Sequence, residues 1–261
     1  MLRGKTIWLA AAVIVLGSLG AHAQTEPSLP ATASAAAGVR APGLYWTFQT
    51  DMGAIACSLY EKEAPITVGK MVGLAIGKVS YVDPRTRATV RKKFFDGLTF
   101  HRVIPNFMIQ GGDPLGTGAG GPEGPGFPYK NETAPTLKFD VPGRLAMANA
   151  GPDTNASQFF ITEVPYPSLD GNYTLWGQCD NVDVVRAIAR VRTGANNRPV
   201  TPVRIQRVII ERVGSAPANA PEAMPVQRTP SRAPARATSP TRTPTGSGTS
   251  APPRPSGNSA K

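Results

Sequence analysis

The feature that most limits what this chain can fold into is the shortness of its apolar runs. Between residues 44 and 213 they read YWTFQT, AIACSLY, LTFHRV, NFMIQGG, RLAMAN, SQFFITE and YTLWGQ, with loops rich in glycine and proline between them. Runs of this length suit strands and are far too short to span a membrane. The break at Asp51-Met52-Gly53 inside residues 45–60 reads as the turn of a β-hairpin. Only two stretches carry a helical period. APITVGKMVGLAIG (64–77) has Pro65 where a first helical residue belongs, and VDVVRAIARV (182–191) supplies the second. KVSYVDPRTRATVRKK (78–93) is basic, turns at Asp83-Pro84 and reads as a surface insertion, while VRIQRVIIERV (203–213) closes the region with a strand. Many short strands, irregular loops and two helices predict a mainly β domain, a closed barrel with helices capping its ends.

Both ends of the chain have a different character. Residues 1–23 begin with Arg3 and Lys5, run apolar from Ile7 to about Leu19 and finish on Ala21-His22-Ala23. That is the pattern of a secretory signal peptide, so export is expected, most simply to a bacterial periplasm, with no stable membrane span after cleavage; the alternative is a retained membrane anchor. Residues 24–43 read as a linker. Residues 214–261 hold ten of the 27 prolines and, beyond Val226, no large apolar residue, which predicts a disordered Pro/Ser/Thr/Arg-rich tail. The foldable domain is therefore 44–213. Of the formal charge of +11, six Lys/Arg against Glu222 place +5 in the tail and Arg3 and Lys5 place +2 in the leader, leaving +4 for the rest. Nothing there forms a nucleic-acid-binding face, although the basic tail could contact anionic surfaces.

Most signatures of chemistry fail on inspection. GTGAGG (116–121) matches a dinucleotide-binding pattern but runs into PEGPGFPYK, which cannot be the helix that pattern requires, so it is a loop. His101 is the sole histidine after the leader, and no Cys/His/carboxylate cluster has ligand spacing, so neither a metal nor another cofactor is expected. No nucleophile with its base is evident either. His101 suits a structural hydrogen-bonder better than a catalyst. Cys57 and Cys179 fit an exported protein if paired or buried, and both possibilities stay open. What remains is FHRVIPNFMIQGG (100–112), which sets a guanidinium beside a long apolar surface. An arginine there could lay its stem on the core and its head in water.

That run, with LAMANAGPDTNASQFFIT and SLDGNYTLWGQ after it, resembles the cyclophilin family of peptidyl-prolyl cis–trans isomerases over about residues 45–213. The resemblance implies a closed, eight-stranded antiparallel barrel capped by two helices, acting on proline-containing polypeptides; a monomer is expected. It implies a site on the outer barrel surface in which Arg102, Gln110 and Asn149 are catalytic. Phe107, Met108 and Phe160 would form the proline pocket, Ala148 and Ala150 the edge that pairs with substrate backbone, Gln158 a polar wall, and Leu169 and Tyr173 the rim. Two positions depart from many eukaryotic members, which have tryptophan at Ser168 and histidine at Tyr173. A different reading keeps the groove and drops the catalysis, making the domain a proline-peptide-binding module tethered by its basic tail. Arginine at 102 favours the enzyme, because binding alone needs only the pocket.

Overall fold

A computed structural model of the protein describes residues 40–216. The expected leader, most of the linker and all but the first three residues of the tail lie outside the described residues. Every element below belongs to the unit that begins at Ala41.

The order is β1 (Gly43–Thr50), β2 (Gly53–Leu59), α1 (Pro65–Ala75), β3 (Tyr81–Val82), β4 (Thr89–Val90), β5 (Arg102–Ile104) and β6 (Met108–Gly111). There follow β7 (Arg144–Met147), β8 (Phe159–Thr162), β9 (Leu175–Cys179), α2 (Val182–Ala189) and β10 (Ile205–Val213). The insertion is a minimal hairpin, β3 with β4. The other eight strands make one antiparallel sheet in the order β10-β1-β2-β9-β7-β8-β6-β5.

The sheet curls but does not close, which corrects the expectation of a closed barrel. Its end strands β5 and β10 share no ladder; the chain next to them meets through a single bridge, Thr99 to Arg204. Three backbone hydrogen bonds hold that seam: Phe100 N–H to Val203 C=O at 3.0 Å, Gly97 N–H to Ile205 C=O and Ile205 N–H to Leu98 C=O, both at 2.7 Å. At one end Gly97, at φ 85°, departs from the extended backbone that a longer ladder would need.

The concave side holds the main core. Trp46 lies at the centre, with ring centroids 5.4 Å from Trp176, 5.3 Å from Phe48 and 5.2 Å from Phe95. Val68, Met71, Val72 and Leu74 of α1 join it, as do Val185 and Ile188 of α2. Cys57 and Cys179 face each other across β2 and β9 and form a buried disulfide, which resolves the two possibilities left open by sequence. A second, smaller cluster of Met108, Phe139, Ala146, Phe160 and Leu175 covers the convex side. Strand β8 is buried on both faces for that reason: Phe159 packs on Phe48 inside, while Phe160 packs on Phe139 outside.

Candidate active site

Strand register assembles the site. Arg102 of β5 pairs with Gln110 of β6, Gln110 pairs with Phe160 of β8, and Phe160 pairs with Ala146 of β7. Cross-strand partners share a face and alternate residues take opposite faces. Arg102, Gln110, Phe160 and Ala146 therefore form one row on the convex side, while Val103, Ile109, Phe159 and Leu145 point into the core. The apolar surface that a guanidinium approaches in FHRVIPNFMIQGG is thus two surfaces, and Arg102 borders the outer one.

Arg102, Gln110 and Phe160 of that row floor a cavity of about 180 Å³, lined besides by Phe107, Met108, Ala148, Asn149, Leu169 and Tyr173. A larger cavity beside it, about 400 Å³, shares Gln110, Ala148 and Asn149 and adds Ala150 and Gln158. The structure so brings nine of the eleven sequence-predicted residues to one cavity and the other two to its neighbour. The smaller cavity has the apolar floor and the cation; the larger has walls of glycine-rich loop and holds no basic residue. Tyr173, at a position of departure, sets its ring edge-on to Phe160, centroids 5.5 Å apart.

A chain of amides holds the cation in place. Arg102 Nη1 donates to Gln110 Oε1 at 3.2 Å, and Gln110 Nε2 donates to Gln158 Oε1 at 3.0 Å. Gln158 Nε2 in turn donates to the carbonyls of Gly118 at 3.0 Å and Gly120 at 2.8 Å. Backbone carbonyls accept only, so they fix which end of Gln158 faces Gln110, and Gln110 must then offer its oxygen to Arg102. The loop that supplies those carbonyls is GTGAGG, organised by the buried Asp113. Its carboxylate accepts the N–H groups of Leu115, Thr117 and Gly118 at 2.6–2.7 Å. Burial pushes the Asp113 carboxyl up, but these backbone donors outweigh burial and hold it below the usual carboxylate range. Gly120 has to be glycine: a Cβ there would stand 2.1 Å from Asp113 Oδ1.

Asn149 presents its backbone. Its side chain is engaged elsewhere, accepting from Gly151 N–H at 3.3 Å and donating to Asn172 C=O at 3.5 Å, and no hydrogen bond among the described residues takes up its backbone N–H. His101 differs from expectation. It is buried, lies outside the cavity lining, and neither ring nitrogen has a hydrogen-bond partner among the described residues. Burial lowers its pKa, Arg198 and Arg102 add to the effect, and Asp113 opposes it.

Sequence reasoning missed two aromatic rings. Phe139 stacks beneath Phe160, 5.9 Å between centroids and 11° between planes, and Tyr166 packs on Phe107 at 4.5 Å. Both lie in irregular segments with no period to reveal a face.

Residues 45–210 match the family described as cyclophilin type peptidyl-prolyl cis-trans isomerase/CLD. The probable peptidyl-prolyl cis-trans isomerase A of Mycobacterium bovis is 46% identical over 167 residues, covering 63% of this chain and 90% of that protein. Peptidyl-prolyl cis-trans isomerase B of Streptomyces anulatus is 45% identical over 172 residues, covering 64% and 97%. A crystal structure of a Cryptosporidium parvum cyclophilin type isomerase, solved in the presence of the dipeptide Ala-Pro, superposes with a TM-score of 0.57 at 28% identity, covering 65% of this chain and 99% of that one.

Proposed function

Because the chain belongs to the cyclophilin-type family and is a peptidyl-prolyl cis–trans isomerase, we propose that it turns X–Pro bonds of exported polypeptides by non-covalent catalysis assisted by Arg102. An X–Pro amide resists rotation because nitrogen shares its lone pair with the carbonyl, a barrier of about 20 kcal/mol that takes tens of seconds to cross unaided. In the twisted state that lone pair becomes a hydrogen-bond acceptor. A catalyst needs a grip on the proline ring and a donor beside it, aimed before the amide arrives.

The observation that carries this reading is the guanidinium of Arg102 at the edge of an apolar cavity, aimed by the Gln110–Gln158 chain. Phe107, Met108 and Phe160 take the proline ring, with Leu169 and Tyr173 at the rim. The Asn149 backbone, flanked by Ala148 and Ala150, pairs with substrate on one side of the bond while the other side rotates. No proton moves and no covalent bond forms. One charge-assisted hydrogen bond contributes about 1.5–3 kcal/mol, and more where water is partly excluded; each 1.36 kcal/mol off the barrier is tenfold in rate. An Ala-Pro dipeptide was present with the Cryptosporidium relative, which supports a proline-containing segment as the substrate here.

From the sequence signals at both ends we also propose export to the bacterial periplasm, with the basic tail a solvated spacer that can meet anionic surfaces. The test is isomerisation of a short Ala–Pro peptide by the full chain and by Arg102→Ala. Wild type accelerates exchange and the folded variant loses most of the acceleration. Equal acceleration by both would remove Arg102 from the mechanism, and no acceleration by wild type would leave a binding module rather than the proposed catalyst.

A further inference from the structure

The hairpin between β5 and β6 carries Arg102 on one arm and Phe107, Met108 and Gln110 on the other, so the turn at its tip sets how cation and pocket wall face each other. That turn is Ile104-Pro105-Asn106-Phe107, closed by Phe107 N–H on Ile104 C=O at 3.2 Å. Proline followed by a left-handed residue (Asn106, φ 58°) is the order of a type II turn, which leaves the Asn106 N–H without a partner inside the turn. The partner comes from elsewhere. Glu163, just beyond β8, accepts that N–H on Oε2 at 2.7 Å, and its own N–H donates to Phe107 C=O at 2.8 Å. The Glu163 side chain is only 1% exposed. Arg190, at the end of α2, forms an ion pair with its other oxygen and donates to Asn106 Oδ1 at 3.3 Å.

A buried carboxylate is costly unless each oxygen has a strong partner. This one has a backbone N–H from the turn on one oxygen and a guanidinium from a helix on the other. A simple turn needs no such device, since asparagine in the left-handed region serves by itself.

We propose that Glu163 and Arg190 are positioning residues of the isomerase, clamping the 104–107 turn so that Arg102 and the Phe107–Met108 wall hold their mutual geometry. The proposal rests on Arg102 acting on the amide, as argued above, and adds the group that keeps it registered. Freed from the clamp, the tip could shift by a fraction of an ångström to an ångström, and misplacement of that size costs up to about a hundredfold in rate.

The test is a double-mutant cycle on the full chain, with kcat and KM for an Ala–Pro peptide measured well below the melting temperature of each variant. Glu163→Ala is expected to lower kcat/KM by about tenfold or more, mostly in kcat. Glu163→Gln keeps an acceptor for Asn106 N–H and the shape of the side chain while losing the ion pair, so it should recover part of the loss and guards against misfolding. In an Arg102→Ala background Glu163→Ala should cost less than about threefold, because the residue it positions is gone. Wild-type kcat/KM in folded Glu163→Ala and Glu163→Gln, or the same fold-loss in both backgrounds, would overturn the proposal and leave Glu163 a stabilising residue alone. The Arg102→Ala single variant judges the catalytic reading separately: if it keeps full activity, Arg102 has no role, and the clamp is then judged by Glu163→Ala alone.

Discussion

Phe139 offers a sharp test of the pocket floor, because it is 1% exposed and touches no part of the cavity itself. Its ring lies nearly parallel to that of Phe160, and its backbone is tied at both groups: N–H to Asp170 Oδ1 at 2.8 Å and C=O from Tyr166 N–H at 2.7 Å. Phe139→Ala would keep those ties and leave a ring-sized void. Buried Phe→Ala changes cost about 3–5 kcal/mol. The lower end applies here, since the convex cluster has only five buried members and can partly collapse. For a domain of this size about 3 kcal/mol lowers the melting temperature by roughly 6–12 °C, which leaves the protein folded at room temperature. The stacked pair is worth about 0.5–1.5 kcal/mol beyond its area. If that is what holds Phe160 against the proline ring, KM rises by about two- to tenfold with kcat nearly unchanged. Thermal unfolding and steady-state kinetics on the same samples decide it. A lowered melting temperature with unchanged KM would show that Phe160 is held by Met108 and Tyr173 without Phe139, and the account of the floor would fall.

Three further outcomes follow from structure away from the pocket. Glu132 accepts the N–H groups of Ile66 and Thr67 at 2.9 and 2.6 Å, capping an α1 whose Ala64 has no cap to give; Glu132→Ala should cost about 1–2 kcal/mol in a denaturant titration without changing turnover. His101 has a folded pKa below its ordinary 6.5, so below that pH the unfolded chain takes up the proton first. Stability should be full above pH 6.5 and decline as pH falls through the lowered value; a stability–pH curve of His101→Gln with the same decline would show that other groups cause it. The disulfide joins positions 122 apart, so reduction or Cys57→Ser/Cys179→Ser should lose about 2–4 kcal/mol, and coincident unfolding curves for oxidised and reduced protein would refute that.

Local signals were legible in the sequence where the cause is local. Asp51-Met52-Gly53 turned the first hairpin, Pro65 opened α1, and the period of VDVVRAIARV located α2. The lining of the candidate site was legible through its long motifs, which carry Arg102, Gln110 and Phe160 as fixed offsets from FHR and QFF. Pairing between distant segments was not. Nothing in SQFFITE says which phenylalanine faces the core, and nothing local aligns Cys57 with Cys179. The barrel seam failed for the same reason, since Thr99 and Arg204 meet only after every intervening strand is laid. Glu163 looked like the polar end of a strand; its role depends on Asn106, 57 residues earlier. Phe139 looked like a loop residue.

The central claim is that Arg102 favours the twisted amide over the planar one. NMR exchange spectroscopy of an Ala–Pro peptide, titrated with wild type, Arg102→Lys and Arg102→Ala, measures cis–trans exchange on the enzyme and peptide affinity in one experiment. Because the guanidinium acts on the transition state, on-enzyme exchange should slow by at least about tenfold in Arg102→Ala while the dissociation constant changes by less than about threefold. Arg102→Lys should fall between, keeping the charge and losing the planar fork. Weaker binding with unchanged on-enzyme exchange would mean that Arg102 grips the planar substrate, and would contradict the mechanism.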